Sequence, residues 1–153
     1  MLSALQRSAR WVWQTMPRGL RLGITRATQT KFTISAAGVI TNEAGEVLLL
    51  NHILRPKSGW GVPGGFLNDG EQPEDALRRE IKEETGLELL DVRLHRVRTR
   101  LRHIEIYFLA TGVGTPQVLT REITELGWFA LDNMPPEMAL DQQFLIRAAM
   151  GVE

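Results

Sequence analysis

The chain has 153 residues, 43% of them hydrophobic and 24% charged, with a formal net charge of zero. This length predicts one domain with a sizeable core, and the balanced charge excludes a general polyanion-binding protein, so we expect no DNA partner. The absence of cysteine excludes disulfides and cysteine–zinc sites. No apolar run approaches transmembrane length, and we expect a cytoplasmic protein.

Residues 1–30 form a basic segment, called the arm below, and the first acidic residue of the chain is Glu43. Apolar residues recur in it at a spacing of three or four, which predicts an amphipathic helix ended by Pro17: Leu2, Leu5, Ala9, Val12 and Met16. We expect this helix and the basic segment after it to pack on their own domain or across a homodimer. Mitochondrial targeting and a membrane-surface role are the alternatives.

Residues 31–153 read as a single domain of strands and two helices. The predicted strands are 32–41, 46–52, 89–98, 104–110 and 125–130, and the predicted helices are 73–85 and 137–150. The first two strands form a hairpin, and the apolar run 47–50 predicts a strand that is buried on both faces. Strands on both sides of a central helix predict an α/β protein with a mixed sheet between helices.

The central helix carries an unusual acidic face. Pro73 suits its first turn and Gly86 suits the position after its last residue. Glu80, Glu83 and Glu84 are spaced i, i+3, i+4, so their carboxylates lie on one face and repel one another. Such a face is usually solvated, but a hard divalent cation would remove the repulsion, and carboxylate oxygens are ligands of Mg²⁺.

The whole stretch 65–87 decides between these interpretations. It reads glycine, five residues, Glu71, seven residues, Arg79-Glu80-Ile81, one residue, Glu83-Glu84, one residue, glycine and an aliphatic residue. This pattern resembles the Nudix box position for position. The resemblance implies the α/β/α sandwich of that family and a hydrolase that cleaves a diphosphate bond in a nucleoside diphosphate derivative, with Mg²⁺ or Mn²⁺ as cofactor.

The resemblance also implies roles for individual residues. Glu80, Glu83 and Glu84, with a backbone carbonyl from the glycine pair at Gly64, would hold the metal. Glu80 and Glu84 would be catalytic, with Glu80 also a candidate general base. Arg79 would bind carboxylates such as Glu71 or Glu80 and fix their direction. An acidic residue in the loop and strand before Trp128, Glu122 or Glu125, would be an extra ligand or base.

Two further groups of residues are candidates for substrate binding. Arg98, Arg100 and Arg102 belong to an arginine-rich strand pair, which is either a solvated basic edge or a phosphate-binding surface, because guanidinium binds phosphate in bidentate fashion. Trp60, Phe66 and Tyr107 could stack on a base, although each is more often a core residue.

The sequence leaves the substrate open. A small-molecule nucleotide, either a nucleoside triphosphate or a nucleotide sugar, is the default expectation. The alternatives are the 5′ end of RNA and a nucleotide-sensing module that does not cleave its ligand. The intact box favours an enzyme.

Overall fold

A computed structural model describes residues 3–55 and 58–152. Leu2 of the predicted apolar stripe lies outside the described residues, as do residues 56 and 57 of the loop after the second strand. The chain forms two units, Met1–Phe32 and Thr33–Glu153. No helix in the described part of the chain is long and apolar enough to cross a membrane.

The first unit contains two helices, α1 (Ala4–Thr15) and α2 (Arg18–Thr28). Ser3 caps α1 and exchanges hydrogen bonds with Gln6, a capping box that satisfies two N-terminal donors. The helix ends just before Pro17, as predicted. The second helix was not predicted; its two glycines lower helix propensity. None of the described residues of either helix is buried, and the docking of the arm on protein stays a prediction.

The second unit is built around one mixed sheet. Its elements are β1 (Thr33–Thr41), β2 (Val47–His52), β3 (Trp60–Gly61), β4 (Gly64–Phe66), α3 (Pro73–Thr85), β5 (Glu88–Arg100), β6 (His103–Val113), β7 (Ile123–Phe129) and α4 (Leu140–Ala149). The strand order is β3-β2-β1-β6-β5, with β4 also paired to β1 and β7 to β2. The β1–β6 pair is parallel and the other pairs are antiparallel. The predicted α/β class and mixed sheet are confirmed.

Strand β2 shows how the sheet separates the two helices. Leu48 and Leu50 pack into the core on the α3 side, whereas Val47 and Leu49 pack into the core on the α4 side. All four side chains are fully buried, so the prediction of a strand covered on both faces is confirmed. On α3 itself, Ala76, Leu77 and Ile81 pack into the core on the α3 side, and Glu80 on the acidic face lies against Gly65.

Three features differ from the sequence prediction. The short strands β3 and β4 were not predicted, because neither two nor three residues can show an alternating pattern. The hairpin β5–β6 is longer than predicted, with register pairs that extend to Arg100↔His103, since main-chain pairing continues through the arginine-rich part. Helix α4 begins at Leu140 and not at 137, after a turn in which the Met138 N–H donates to the Pro135 carbonyl.

Candidate active site

Helix α3 positions the predicted carboxylates at different depths. Pro73 lies in its first turn, and Gly86 ends it in the left-handed conformation at φ 76°, as the sequence predicted. Glu84 is only 6% exposed, Glu80 is half-buried and Glu83 is exposed. The three residues therefore share a face, but only Glu84 is enclosed by protein.

Glu84 lies in an environment that opposes its negative charge. Burial raises its pKa to about 8, with further contributions from the nearby Glu80, Glu122 and Glu83 carboxylates, while Arg55 acts in the opposite direction. Its Oε2 atom is buried and has no hydrogen-bond partner among the described residues. A buried carboxyl oxygen without a donor is costly, and a cation bound at this oxygen would remove both the repulsion and that cost.

His52, at the end of β2, faces the same carboxyl. Its Nδ1 lies 4.0 Å from Glu84 Oε1, which is too long for a hydrogen bond. Burial, together with Arg55, lowers the pKa of His52 to about 4. At neutral pH and without a bound cation, the contact is therefore between a neutral imidazole and a mostly protonated carboxyl, and it is not an ion pair. No sequence pattern predicts this contact, because His52 lies in a strand that is remote in sequence from α3.

Arg55, in the loop after β2, is close enough to Glu84 to influence its pKa, and it was not among the predicted site residues. Its Nη2 donates to the Val62 carbonyl at 3.0 Å and its Nη1 to the Gly59 carbonyl at 3.4 Å. Burial lowers its pKa, while the nearby Glu84 and Tyr107 act to raise it. A guanidinium has five donors, and these two carbonyls use only part of them. An arginine in the loop before the glycine pair was the available sequence signal.

Arg79 holds the acidic residues of the box in place. Its Nε and Nη2 donate to the two oxygens of Glu71 at 2.8 and 3.0 Å, and its Nη1 donates to Glu80 at 2.8 Å and to Glu83 at 3.5 Å. The hydrogen bonds from Arg79, followed by that from the Asn68 N–H, lower the pKa of Glu71 to about 2. The contacts that were expected for Arg79 are present, and its role in the reaction stays a prediction.

The glycine pair lies directly against this network. Gly64 has φ 149°, a conformation that other residues rarely adopt, and a Cβ there would lie 2.2 Å from the Ala36 carbonyl oxygen. A Cβ on Gly65 would lie 2.2 Å from Oε1 of Glu80. The first glycine is therefore required by the fold, whereas the second makes room for a carboxylate.

This difference predicts opposite results for two alanine substitutions. Gly65→Ala should keep the melting temperature within a few degrees, because only the flexible end of Glu80 must move, but hydrolysis should fall by about tenfold or more as that carboxylate is displaced. Gly64→Ala should lower stability by about 1–3 kcal/mol through backbone strain and overlap. Thermal melts and initial rates on both variants check this. A fully active Gly65→Ala enzyme would show that the position of Glu80 is unimportant.

The chemistry of these residues fits a hard divalent cation. No group of three or more His, Cys, Asp or Glu side chains in residues 3–55 and 58–152 is arranged to hold a metal ion, and Arg79 occupies one oxygen of Glu80 and one of Glu83. Two observations on Glu84 fit a bound cation. One of its oxygens has no hydrogen-bond partner among the described residues, and the Glu80 carboxylate disfavours its negative charge. Mg²⁺ usually keeps several waters and takes one or two carboxylates together with substrate phosphates, so two carboxylates suffice.

The two acidic residues nominated near β7 lie in different places. Glu122 precedes the strand and is close enough to Glu84 to raise its pKa. Glu125 lies within β7, where Leu126 packs toward the α3-side core. Alternation along the strand places Glu125 on the opposite face. The structure therefore places Glu122 near Glu84 and leaves Glu125 away from it.

A cleft opens next to the glycine pair, close to Glu80. It consists of a cavity of about 760 Å³ beside Arg98, Arg100 and the start of α4, and a smaller one of about 220 Å³ beside the glycine pair. Arg55, Glu105 and Gln142 line both cavities, so the two are adjacent. The glycine pair, which lies against Glu80, thus borders a space that is large enough for a nucleotide.

The three arginines nominated for substrate binding are not equivalent. Arg98 donates to Glu105 at 2.7 Å and to the Tyr107 hydroxyl at 3.1 Å, and Arg100 donates to Asp141 at 3.3 Å. Both line the larger cavity. Arg102 is exposed in the turn after β5 and lines neither cavity.

The three aromatic candidates differ in burial. Tyr107 is 2% exposed and belongs to the α4-side core, as expected. Trp60 is half-buried against Phe129 and lines the larger cavity. Phe66 is 63% exposed, and its ring makes an edge contact with the ring of His103. The expectation that Phe66 is a core residue was therefore wrong. Its position after the glycine pair on a three-residue strand keeps it out of the core and in the smaller cavity.

Comparison with known proteins agrees with this geometry. The family model of the NUDIX domain matches residues 31–148. The chain belongs to the Nudix family. The Nudix hydrolase MutT of Burkholderia pseudomallei is similar in structure, with a TM-score of 0.68 and 28% identity over 76% of this chain and 97% of that one. The Nudix domain of Shewanella oneidensis NrtR, solved with ADP ribose, has a TM-score of 0.66 over 89% of this chain and 98% of that one; at 23% identity it shows the fold alone.

Curated relatives match a shorter stretch. The RNA pyrophosphohydrolase of Pseudomonas aeruginosa is 48% identical over 56 residues, which are 37% of this chain and 34% of that protein. The match thus spans about a third of the relative's length. Members of the Nudix family generally use a divalent metal, and no metal is part of this structure.

Proposed function

We propose that this Nudix protein is a hydrolase that uses Mg²⁺ or Mn²⁺ to cleave a diphosphate bond in a nucleotide derivative. The observation that carries the proposal is the buried Glu84, with its partnerless oxygen, beside Glu80 and a cleft of nucleotide size. Without a cation, the repulsion in this carboxyl pair is relieved only by protonation of Glu84, and a site of that kind suits the binding of a metal that takes part in hydrolysis.

The residues divide the work as follows. Glu80 and Glu84, with the Gly64 carbonyl and the exposed Glu83, would hold the cation, and Arg79 would keep Glu80 directed toward it. Bound metal supplies charge neutralisation at the phosphoryl oxygens and lowers the pKa of a coordinated water. Glu80 or Glu122 would accept the proton of the attacking water as its oxygen bonds to phosphorus. The bridging oxygen then leaves with the electron pair of the broken bond.

Arg55 is the residue best placed to hold the substrate's phosphates. It lies close enough to Glu84 to influence its pKa and also lines both parts of the cleft. A half-buried guanidinium with donors to spare binds phosphate more strongly than an exposed one, because charge-assisted hydrogen bonds gain strength away from water. Arg100 at the outer cavity would bind a more distant phosphate.

For the substrate, a nucleoside triphosphate or nucleotide sugar is our first proposal. It is the default for an intact Nudix box, and the similarity to a MutT Nudix hydrolase supports the hydrolase class. The 5′ end of an RNA is the second candidate, and the stretch shared with RNA pyrophosphohydrolases favours it. A screen of nucleoside triphosphates, nucleotide sugars and a 5′-triphosphorylated oligonucleotide, with released phosphate as the readout, separates the two. No hydrolysis with either metal would leave only the sensing module.

The cleft predicts different effects for two neighbouring arginines. Arg100→Ala should raise KM about threefold to tenfold with little change in kcat, because it removes an exposed charged donor from the cavity. Arg102→Ala removes the same charge from the adjacent turn and should leave KM unchanged. Steady-state kinetics at low salt measures both. Equal effects in the two variants would mean that the hairpin acts only through its general positive charge.

A further inference from the structure

The two helices of the arm do not bury their own apolar side chains. Leu5, Val12, Leu20 and Ile24 are between 38% and 83% exposed. Along α1 the residues of the stripe follow one another at intervals of three or four, and Leu20, Ile24 and Ala27 do the same along α2. Each helix is therefore amphipathic, with an apolar stripe and a polar face.

The polar faces carry charge of one sign only. Six of the chain's 18 basic residues come before residue 32, whereas all 18 acidic residues come after residue 42. Arg10 lies off the stripe of α1, and Arg18 and Arg21 lie off the stripe of α2. Neither helix contains an acidic residue that could pair with them within one turn.

We propose that the arm binds the surface of a lipid bilayer containing anionic lipids. Helices of this kind lie in the interface, with the apolar stripe among the acyl chains and the arginines at the negatively charged headgroups. The two tryptophans of α1, Trp11 and Trp13, are 68% and 43% exposed, and tryptophan is enriched at the membrane–water interface. The hydrolase domain would then act next to a membrane.

Two other partners fit the arm less well. RNA would use the arginines but would leave the apolar stripes in water. The core of a protein–protein interface is depleted in charge, and its charged rim usually faces charges of the opposite sign. A second copy of the arm would bring only cations to that rim. An anionic bilayer would bury the apolar stripe and would also pair the arginines with negative charge.

Co-sedimentation of the full-length protein with vesicles tests the proposal. Phosphatidylcholine vesicles with about 30% phosphatidylglycerol should bind the protein at least about tenfold more strongly than pure phosphatidylcholine vesicles, and salt should weaken the binding. Replacing Arg18 and Arg21 by glutamine should weaken binding about fivefold for each arginine. No binding to either kind of vesicle overturns the proposal.

A matched pair of substitutions in α1 separates the apolar stripe from the charge. Val12→Glu and Gln14→Glu change the net charge equally, but only Val12 lies on the stripe. Val12→Glu should weaken vesicle binding about tenfold more than Gln14→Glu, with unchanged hydrolysis in both. Equal weakening of vesicle binding by the two variants would overturn the bilayer proposal. Binding of single-stranded RNA that both variants reduce alike would also overturn it, and would indicate that the arginines bind the phosphates of RNA. A dimer that only Val12→Glu dissociates would assign the stripe to a second copy.

Discussion

Replacing Glu84 by glutamine should lower kcat by about two orders of magnitude or more, and Glu80→Gln should have a similar effect. Both substitutions remove a negative charge from the position proposed for the cation, and a lost metal ligand or general base has consequences of this size. Glu84→Gln should be the clearer test, because glutamine has the shape of the protonated carboxyl that burial favours at this position. Its fold should survive, since like-charge repulsion is relieved.

Two measurements distinguish loss of the metal site from loss of the fold. The wild-type melting temperature should rise when Mg²⁺ or Mn²⁺ is added, as ligand binding to the native state requires, and this rise should disappear in Glu84→Gln. Glu88→Gln is the matched control: it lies just after α3, is exposed and binds only Lys82 among the described residues, so it should keep both activity and the metal-dependent rise. A Glu84→Gln protein with wild-type kcat would remove Glu84 from the site.

The sequence could predict α3 to the residue because the signals for that helix are local. Pro73 at its start and Gly86 at its end mark positions where backbone geometry depends on residue type. The burial of Val47 to Leu50 on both faces could also be predicted, since a continuous apolar run has that meaning in a sheet. The box itself fixed which carboxylates share a face.

The depth and surroundings of those carboxylates could not be predicted in the same way. Glu84 and Glu83 are adjacent in sequence, yet only tertiary packing decides that one is enclosed and the other exposed. His52 lies beside Glu84 from a different strand, and Arg55 influences its pKa from a loop; no local sequence pattern encodes either proximity. Phe66 has a large hydrophobic side chain of the kind usually found in a core, but its place on a three-residue strand leaves it exposed.

Replacing Arg79 by lysine should lower kcat by about 10- to 100-fold, with a smaller change in KM. Arg79 would act through Glu71, Glu80 and Glu83 and not on substrate, and partners of metal ligands typically contribute this much. Lysine keeps the positive charge but cannot form the bidentate contact with Glu71 while also binding Glu80. The Glu80 carboxylate would then lose its fixed direction, and a larger concentration of Mg²⁺ should be needed for half-maximal rate.

Arg78→Lys is the matched control for this effect. Arg78 is the preceding residue of the same helix and binds Glu74 and the Leu89 carbonyl, away from the acidic group. The same substitution there should leave kcat and the Mg²⁺ requirement unchanged. Metal titrations of the rate for both variants provide the comparison, with thermal melts to check folding. If Arg79→Lys lowered the melting temperature but left the Mg²⁺ requirement and kcat at wild-type values, Arg79 would serve only to attach α3 to the segment before it, through the Phe66 carbonyl and Glu71.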